Sequence, residues 1–299
     1  MILPGRLLVV LSAFAVGCDA GAVVDIGDAR PAGYRFGTPR LLAELDVGYG
    51  NENPTLTADL RELYFNSNHG SETESDVWVA RRDGAADPFA APVLVAGLDT
   101  VAYEGNPAIS LDGLSLYFGS DRTGGAGELD IWHTRRATRT EPWSVAENIG
   151  ALNSPAKDIP RPPGQDGLVM PLSSQRDVAD GYQLYTATRS SPVAAFGAPA
   201  MIPELSDPTH NIADAFLSDD GLTLLYASAP IGAMPDLFVS WRKTTSRPFT
   251  VTEPLTDLNT AGDERDPWLS PDGTRLYFVS DRGGTLQIYE ASVTRASSQ

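Results

Sequence analysis

Ser270-Pro271-Asp272-Gly273-Thr274-Arg275-Leu276-Tyr277-Phe278-Val279-Ser280-Asp281-Arg282 reads as two strands joined by a tight turn. Asp272 can bond the nearby backbone and Gly273 can take positive φ, so the chain reverses there. Leu276-Tyr277-Phe278 then supplies a short apolar run of strand-forming residues. The same apolar group recurs upstream at Leu63-Tyr64-Phe65, Leu116-Tyr117-Phe118, Leu168-Val169-Met170 and Leu224-Leu225-Tyr226, at spacings of 53, 52, 56 and 52 residues. Turns of the same kind precede it at Asp112-Gly113, Asp166-Gly167 and Asp220-Gly221, while the first unit departs with Asp59-Leu60.

Two further series run in phase with the first. One is Val77-Trp78, Ile131-Trp132, Leu184-Tyr185, Leu237-Phe238 and Ile288-Tyr289. The other is a single aromatic at Phe36, Phe89, Trp143, Phe196 and Phe249, spaced 53, 54, 53 and 53. In the second unit, strand a begins over residues 107–110, strand b spans 115–119, strand c spans 130–135 and strand d spans 143–149. No long stretch after Tyr34 shows a 3.6-residue apolar stripe. Four-stranded units repeated without helices predict an all-β propeller, because a lone blade exposes two sheet faces that only neighbouring blades can cover. The b and c aromatics are then core between blades, not a cofactor site.

Asn106-Pro107, Asp112-Gly113, Leu116-Tyr117-Phe118, Ser120-Asp121-Arg122 and Asp130-Ile131-Trp132 resemble the WD-repeat-like blade of TolB-type propellers, and the stretch quoted first resembles it most fully. The resemblance covers about residues 36–293 and is weakest in the third unit, where residues 164–170 are compressed. It implies a fold and leaves function open. TolB-type propellers commonly have six blades, so six is the alternative count. Five is predicted from the ends: Phe36 opens a strand d with no a, b or c before it, and the last unit has no d. Residues 36–42 should therefore pair beside residues 287–293 and close the ring, which removes free sheet edges.

Residues 1–18 read as an export signal, with Arg6, an apolar run over residues 7–16 too short to span a bilayer, and Ala15-Val16-Gly17-Cys18 at its end. That ending resembles the lipobox of bacterial lipoproteins, which implies lipidation of Cys18, the chain's single cysteine. Residues 19–35 read as a flexible tether and 36–299 as the propeller domain. The expected location is the cell envelope, membrane-anchored through the N-terminal lipid, on the periplasmic or cell-surface side.

With 39 acids against 22 Lys and Arg the net charge is −17, which argues against nucleic acid as a partner. One cysteine excludes an internal disulfide. The three histidines, His69, His133 and His210, assemble no triad motif, and neither a Gly-x-Ser-x-Gly elbow nor EF-hand spacing is present. Gly124-Gly125-Ala126-Gly127 lies between strands and fails as a phosphate loop. No cofactor is implied.

The candidate site is a set of acids just before each strand a: Glu52, Glu104, Asp158, Asp214 and Glu264 with Asp266. Such positions ring the mouth of a propeller's central channel. Because every blade has one, structural capping of repeated backbone N–H groups is the first reading, a ligand or cation site the second and catalysis the third. The functional expectation is a non-catalytic envelope lipoprotein that binds a protein or a small ligand at its acidic loop face. The alternative is a glycan-active hydrolase using the channel-mouth carboxylates. Loops d–a and b–c carry most of the acids against Arg122, Lys157, Arg176, Arg265 and Arg282. The c–d turns collect Arg81, Arg82, Arg135, Arg136, Arg139, Arg189, Arg242, Lys243 and Arg247. These arginines suggest that the c–d face meets anionic head groups.

Overall fold

A computed structural model describes residues 33–68, 75–164 and 166–295; Cys18, the export signal and His69 lie outside them. The chain opens with two short strands, β1 (Tyr34–Phe36) and β2 (Arg40–Leu41). Blade 1 follows as β3 (Asn51–Leu56), β4 (Glu62–Ser67), β5 (Asp76–Arg81) and β6 (Val93–Leu94). Blade 2 is β7 (Glu104–Ile109), β8 (Ser115–Ser120), β9 (Asp130–Arg135) and β10 (Glu147–Asn148). Blade 3 is β11 (Asp158–Pro160), β12 (Val169–Ser174), β13 (Gln183–Thr188) and β14 (Ala200–Met201). Blade 4 is β15 (His210–Leu217), β16 (Thr223–Pro230), β17 (Asp236–Trp241) and β18 (Val251–Pro254). The chain ends with β19 (Glu264–Leu269), β20 (Arg275–Ser280) and β21 (Gln287–Arg295).

Each blade is an antiparallel sheet of consecutive strands, and the fifth is completed from the N-terminus. Tyr34 pairs with Arg295 and Phe36 with Val293, while Arg40 pairs with Glu290 and Leu41 with Tyr289. The fold is a five-bladed β-propeller closed by its first strands. Two details differ from the sequence reading. The closing ladder starts at Tyr34, two residues early, and residues 37–39 divide it into two segments. Strand a of blade 2 starts at Glu104, because the residues before the apolar run also pair with β8.

The apolar groups work as a period-two code. In β4, Leu63 and Phe65 pack toward blade 5, and Tyr64 packs toward blade 2. In β8, Leu116 and Phe118 face blade 1, and Tyr117 faces blade 3. In β20, Leu276 and Phe278 face blade 4, and Tyr277 faces blade 1. Successive side chains of a strand point to opposite faces, so one short run supplies core to two interfaces. The buried apolar residues form five clusters, one at each junction between blades. Each fully buried ring contributes roughly 2 kcal/mol by removal from water.

The a–b turns form as expected. Asp112 Oδ1 accepts from Ser110 Oγ and Leu114 N, and Gly113 has φ 75°. The first unit makes the same turn with Leu60 at φ 59°, a conformation in which a branched side chain is strained. Leu60 is 6% exposed, so its burial offsets that strain.

Four of the c–d arginines are held by the fold. Arg82, Arg136, Arg189 and Arg242 lie 4.1, 4.4, 4.3 and 4.6 Å over the rings of Phe89, Trp143, Phe196 and Phe249. Each also donates its Nε to a carbonyl of its a–b turn, Leu60, Gly113, Gly167 and Gly221 respectively. Arg82 and Arg136 are buried. Four of the five aromatics of that series are thus arginine platforms, and in the fifth blade Arg295 lies over Tyr34 instead, at 5.8 Å.

Candidate functional site

A serine near the end of strand b serves as a ruler for the inner strands. Ser67, Ser120, Ser174, Ser228 and Ser280 pair with Asn51, Glu104, Asp158, Ile212 and Glu264. The candidate acids therefore do not occupy one position. Glu104, Asp158 and Glu264 stand opposite the serine, Glu52 is one residue further in, and Asp214 and Asp266 are two further in. The symmetry that made all six look like repeated caps holds for three of them.

Those three are latches. Glu104 accepts from Thr100 N at 2.9 Å, Thr100 Oγ1 at 2.6 Å, Ser120 Oγ at 3.1 Å and Arg122 Nη2 at 2.9 Å. Asp158 takes Ser154 N and Oγ with Arg176, and Glu264 takes Thr260 N and Oγ1, Ser280 Oγ and Arg282. Each arginine also donates to a carbonyl at the start of the d–a loop, Leu98, Leu152 or Leu258. All three acids are fully buried. The other two junctions use a glutamine instead. Gln183 holds Asp207 O and His210 O and accepts from Ser206 Oγ and Asp207 N. Gln287 accepts from Asn51 Nδ2 and donates to Tyr49 O.

Glu52, Asp214 and Asp266 instead line a cavity of about 410 Å³ at the channel mouth, with Tyr103, Asn106, Tyr182, Asn211, Lys157 and Arg265 among its other walls. A shared backbone feature aims them inward. Asn53, Asn106, Asp214 and Asp266 all have positive φ, each at a register shift where the inner strand carries one extra residue. Asn and Asp tolerate this left-handed conformation better than other side chains. The freed N–H groups find partners. Asn53 N donates to Asp266 Oδ2, Asn106 N to Asn66 Oδ1, and Asp214 N to Ser173 Oγ.

Blade 3 lacks the bulge and places Arg161 there. Arg161 is 4% exposed and crosses the channel, donating Nη1 to Asn53 Oδ1 at 2.9 Å and Nη2 to Asp266 Oδ1 at 2.6 Å. Asp214 Oδ1 pairs with the same Nη2. One guanidinium thereby joins blade 3 to blades 1, 4 and 5. Above it, Arg265 lies 3.6 Å from Glu52 and 3.4 Å from Asp263.

The electrostatics follow from burial around too few cations. Burial pushes the Asp214 carboxyl up to about 7; Asp266 adds to the rise and Arg161 opposes it. Burial also raises Glu52 and Asp263, against the pull of Arg265. Burial works against the charge on Arg265, but Glu52, Asp266, Asp263 and Asp214 outweigh it and hold the guanidinium protonated. Burial raises Tyr103 and Tyr182 as well, so both phenols keep their protons at neutral pH.

Arg161, Arg265, Asn53, Asn106 and the two tyrosines were not singled out from sequence. Alignment on the strand-b serine brings out the asparagines, because it puts Asn53-Pro54, Asn106-Pro107 and Asp266-Pro267 in one register, where blade 3 has Pro160 with Arg161 one residue later. Gly105 carries a further signal. A Cβ there would lie 2.2 Å from the Tyr103 hydroxyl, so a glycine inside a strand admits that ring to the channel. His133 stacks on Tyr117 at 4.4 Å, away from the cavity lining. Among the described residues no group of three or more His, Cys, Asp or Glu is placed to hold a metal ion. No helix among them is long and apolar enough to cross a membrane.

No family model matches the chain, and no curated protein matches it. Solved structures do. TolB from Acinetobacter baumannii shares 15% identity over 85% of this chain and 56% of its own, with a TM-score of 0.53. This chain thus spans little more than half the length of that protein. A TolB from Agrobacterium tumefaciens shares 18% identity over 81% of this chain and 76% of its own, with a TM-score of 0.50. An α-L-arabinofuranosidase from Podospora anserina, solved with cellotriose, shares 11% identity over 90% and 99%, with a TM-score of 0.60. At these identities the likeness is one of fold. The chain is a TolB-like β-propeller in architecture, a fold it shares with a glycosidase as well.

Proposed function

We propose that the protein is a non-catalytic binding propeller of the cell envelope that receives a small polar ligand at the channel mouth and is tethered by lipid at Cys18. The observation that carries the binding reading is the cavity itself, which gathers amides, phenols, carboxylates and two cations around about 410 Å³, a size and a mixed lining suited to a small molecule. Asp214 and Asp266 speak against hydrolysis. A glycosidase needs two carboxylates that act separately across a sugar bond, and these two share one nitrogen of Arg161. The raised Asp214 fits a group that trades a proton for a ligand as well as it fits a general acid.

Native mass spectrometry of the protein after exposure to the small-molecule fraction of envelope extracts tests this reading. A bound mass should appear and should vanish in the Tyr103→Ala, Tyr182→Ala double variant. Turnover of aryl glycosides that is lost in Asp214→Asn would overturn it in favour of a hydrolase. The anchor is tested separately: Cys18→Ser should abolish lipid labelling and release the protein from membranes.

A further inference from the structure

The channel mouth holds more negative charge than its own cations match. Glu52, Asp214 and Asp266 line it and Asp263 stands beside Arg265, whereas the cations in contact with these acids are Arg161 and Arg265. Lys157 lines the cavity but makes no ion pair. Burial raises Glu52, Asp214 and Asp263, and neighbouring carboxylates add to the rise.

Asn106 supplies an independent sign of a ligand. It is 7% exposed and lines the cavity; its Oδ1 accepts from the Tyr103 hydroxyl at 3.4 Å, but its side-chain NH₂ donates to no protein atom. That donor opens onto the cavity, where an acceptor oxygen on a ligand can meet it. Asn211, partly exposed at the cavity wall, uses its Oδ1 to accept from Tyr182 N, and its NH₂ donates to no described protein atom. Tyr103 and Tyr182 complete the lining.

These features narrow the ligand. A bare metal ion lacks its cluster of ligands here and would leave most of the cavity empty. An anion would meet carboxylates. A neutral polyol would satisfy Asn106 and Asn211 but leave the charge imbalance in place. We infer that the channel mouth takes a small hydroxylated primary amine, its ammonium held by Glu52 and Asp214 and its oxygens by the amides of Asn106 and Asn211. This rests on the reading of the cavity as a ligand site and names the chemical class that fills it. Binding is linked to a proton. Asp214 faces Asp266, Arg161, Arg265 and Tyr182, and a bound ammonium would favour its ionised form, so affinity should rise with pH through neutrality.

A matched pair of probes tests it: glucamine, a linear polyol with one terminal amine, and sorbitol, the same chain with a hydroxyl there. Chemical-shift titration at pH 7.5 should show glucamine binding at least tenfold more tightly than sorbitol, and the preference should shrink severalfold at pH 5.5. Glu52→Gln should remove most of the preference, and because the Glu52 side chain is 30% exposed the change leaves the fold intact. Equal binding of the two probes would overturn the amine while the ligand site stands. Binding of neither would overturn the inference, and the mass-spectrometric experiment would then decide separately whether the cavity holds any ligand.

Discussion

Glu104 and Asp214 both stand on inner strands, and both touch an arginine, yet they live in opposite circumstances. Glu104 has Arg122 to itself and three further donors from Thr100 and Ser120. Asp214 shares Arg161 with Asp266, and its own N–H donates to Ser173 Oγ. The first arrangement completes the hydrogen bonds of a buried charge and belongs to the scaffold. The second leaves a charge deficit beside open space and belongs to whatever occupies that space. Two acids that look alike in sequence are separated by how many donors the fold gives each.

The comparison can be broken most severely at the shared cation. Arg161→Met should leave Asp214 and Asp266 buried without a counter-charge, costing about 3–5 kcal/mol at pH 8. Urea denaturation should show much of that loss recovered at pH 5, where Asp214 holds its proton. A loss independent of pH would mean that Arg161 acts through packing alone.

Next comes the latch. Glu104→Ala removes four accepted bonds and leaves Arg122 with Ser120 and Leu98 O. The expected cost is about 2–3 kcal/mol, with no effect on ligand binding. Altered binding with unchanged stability would reverse the roles assigned to the two acids.

The pH dependence of the wild type offers a finer contrast. Asp214 holds its proton to about 7 in the fold against 3.8 as a free group, so between pH 4 and 7 the folded chain binds more protons and stability falls as pH rises. Burial, with Arg135 and Arg189, lowers His133 to about 4 from 6.5, so between those values the unfolded chain binds more protons and stability rises with pH. The two slopes oppose each other. Asp214→Asn should unmask a rise of about 1–2 kcal/mol between pH 4 and 6.5, and His133→Phe should steepen the fall by a similar amount. If neither substitution changes the slope of a stability–pH titration, the groups are not titrating as described.

The smallest effect is expected at the first a–b turn. Leu60→Gly relieves positive φ but gives up a buried side chain, so the net change should stay within about 1 kcal/mol. A larger loss of thermal stability would show that burial dominates there.

The repeat, the turns and the closing strands were legible because each is written as a local pattern: Leu276-Tyr277-Phe278 alternates between two faces, Asp272-Gly273 turns the chain, and Phe36 has no blade of its own. The site was only half legible. Glu52, Glu104 and Asp214 sit at similar offsets from their apolar runs, but bulges at Asn53, Asn106 and Asp214 and their absence at Arg161 change which way each side chain points. A one-residue difference in register reverses the face, and counting along the chain does not reveal it. The partners of the c–d arginines were hidden for a related reason. Their charge is visible in the sequence, whereas the rings of Phe89, Trp143, Phe196 and Phe249 that engage them are found by the loop's return.

The divided closing edge also decides how the ring bears load. A pull on residue 33 reaches β1 first, where Tyr34, Arg35 and Phe36 pair with the last residues of β21. Antiparallel rungs at a free end peel one after another, so this segment yields at low force. Residues 37–39 then interrupt the ladder, and the next rungs, at Arg40 and Leu41, are reinforced by the Arg40–Glu290 ion pair at 2.8 Å. The outer segment therefore behaves as a fuse: it can open and re-form under tension while the inner one keeps the five blades shut.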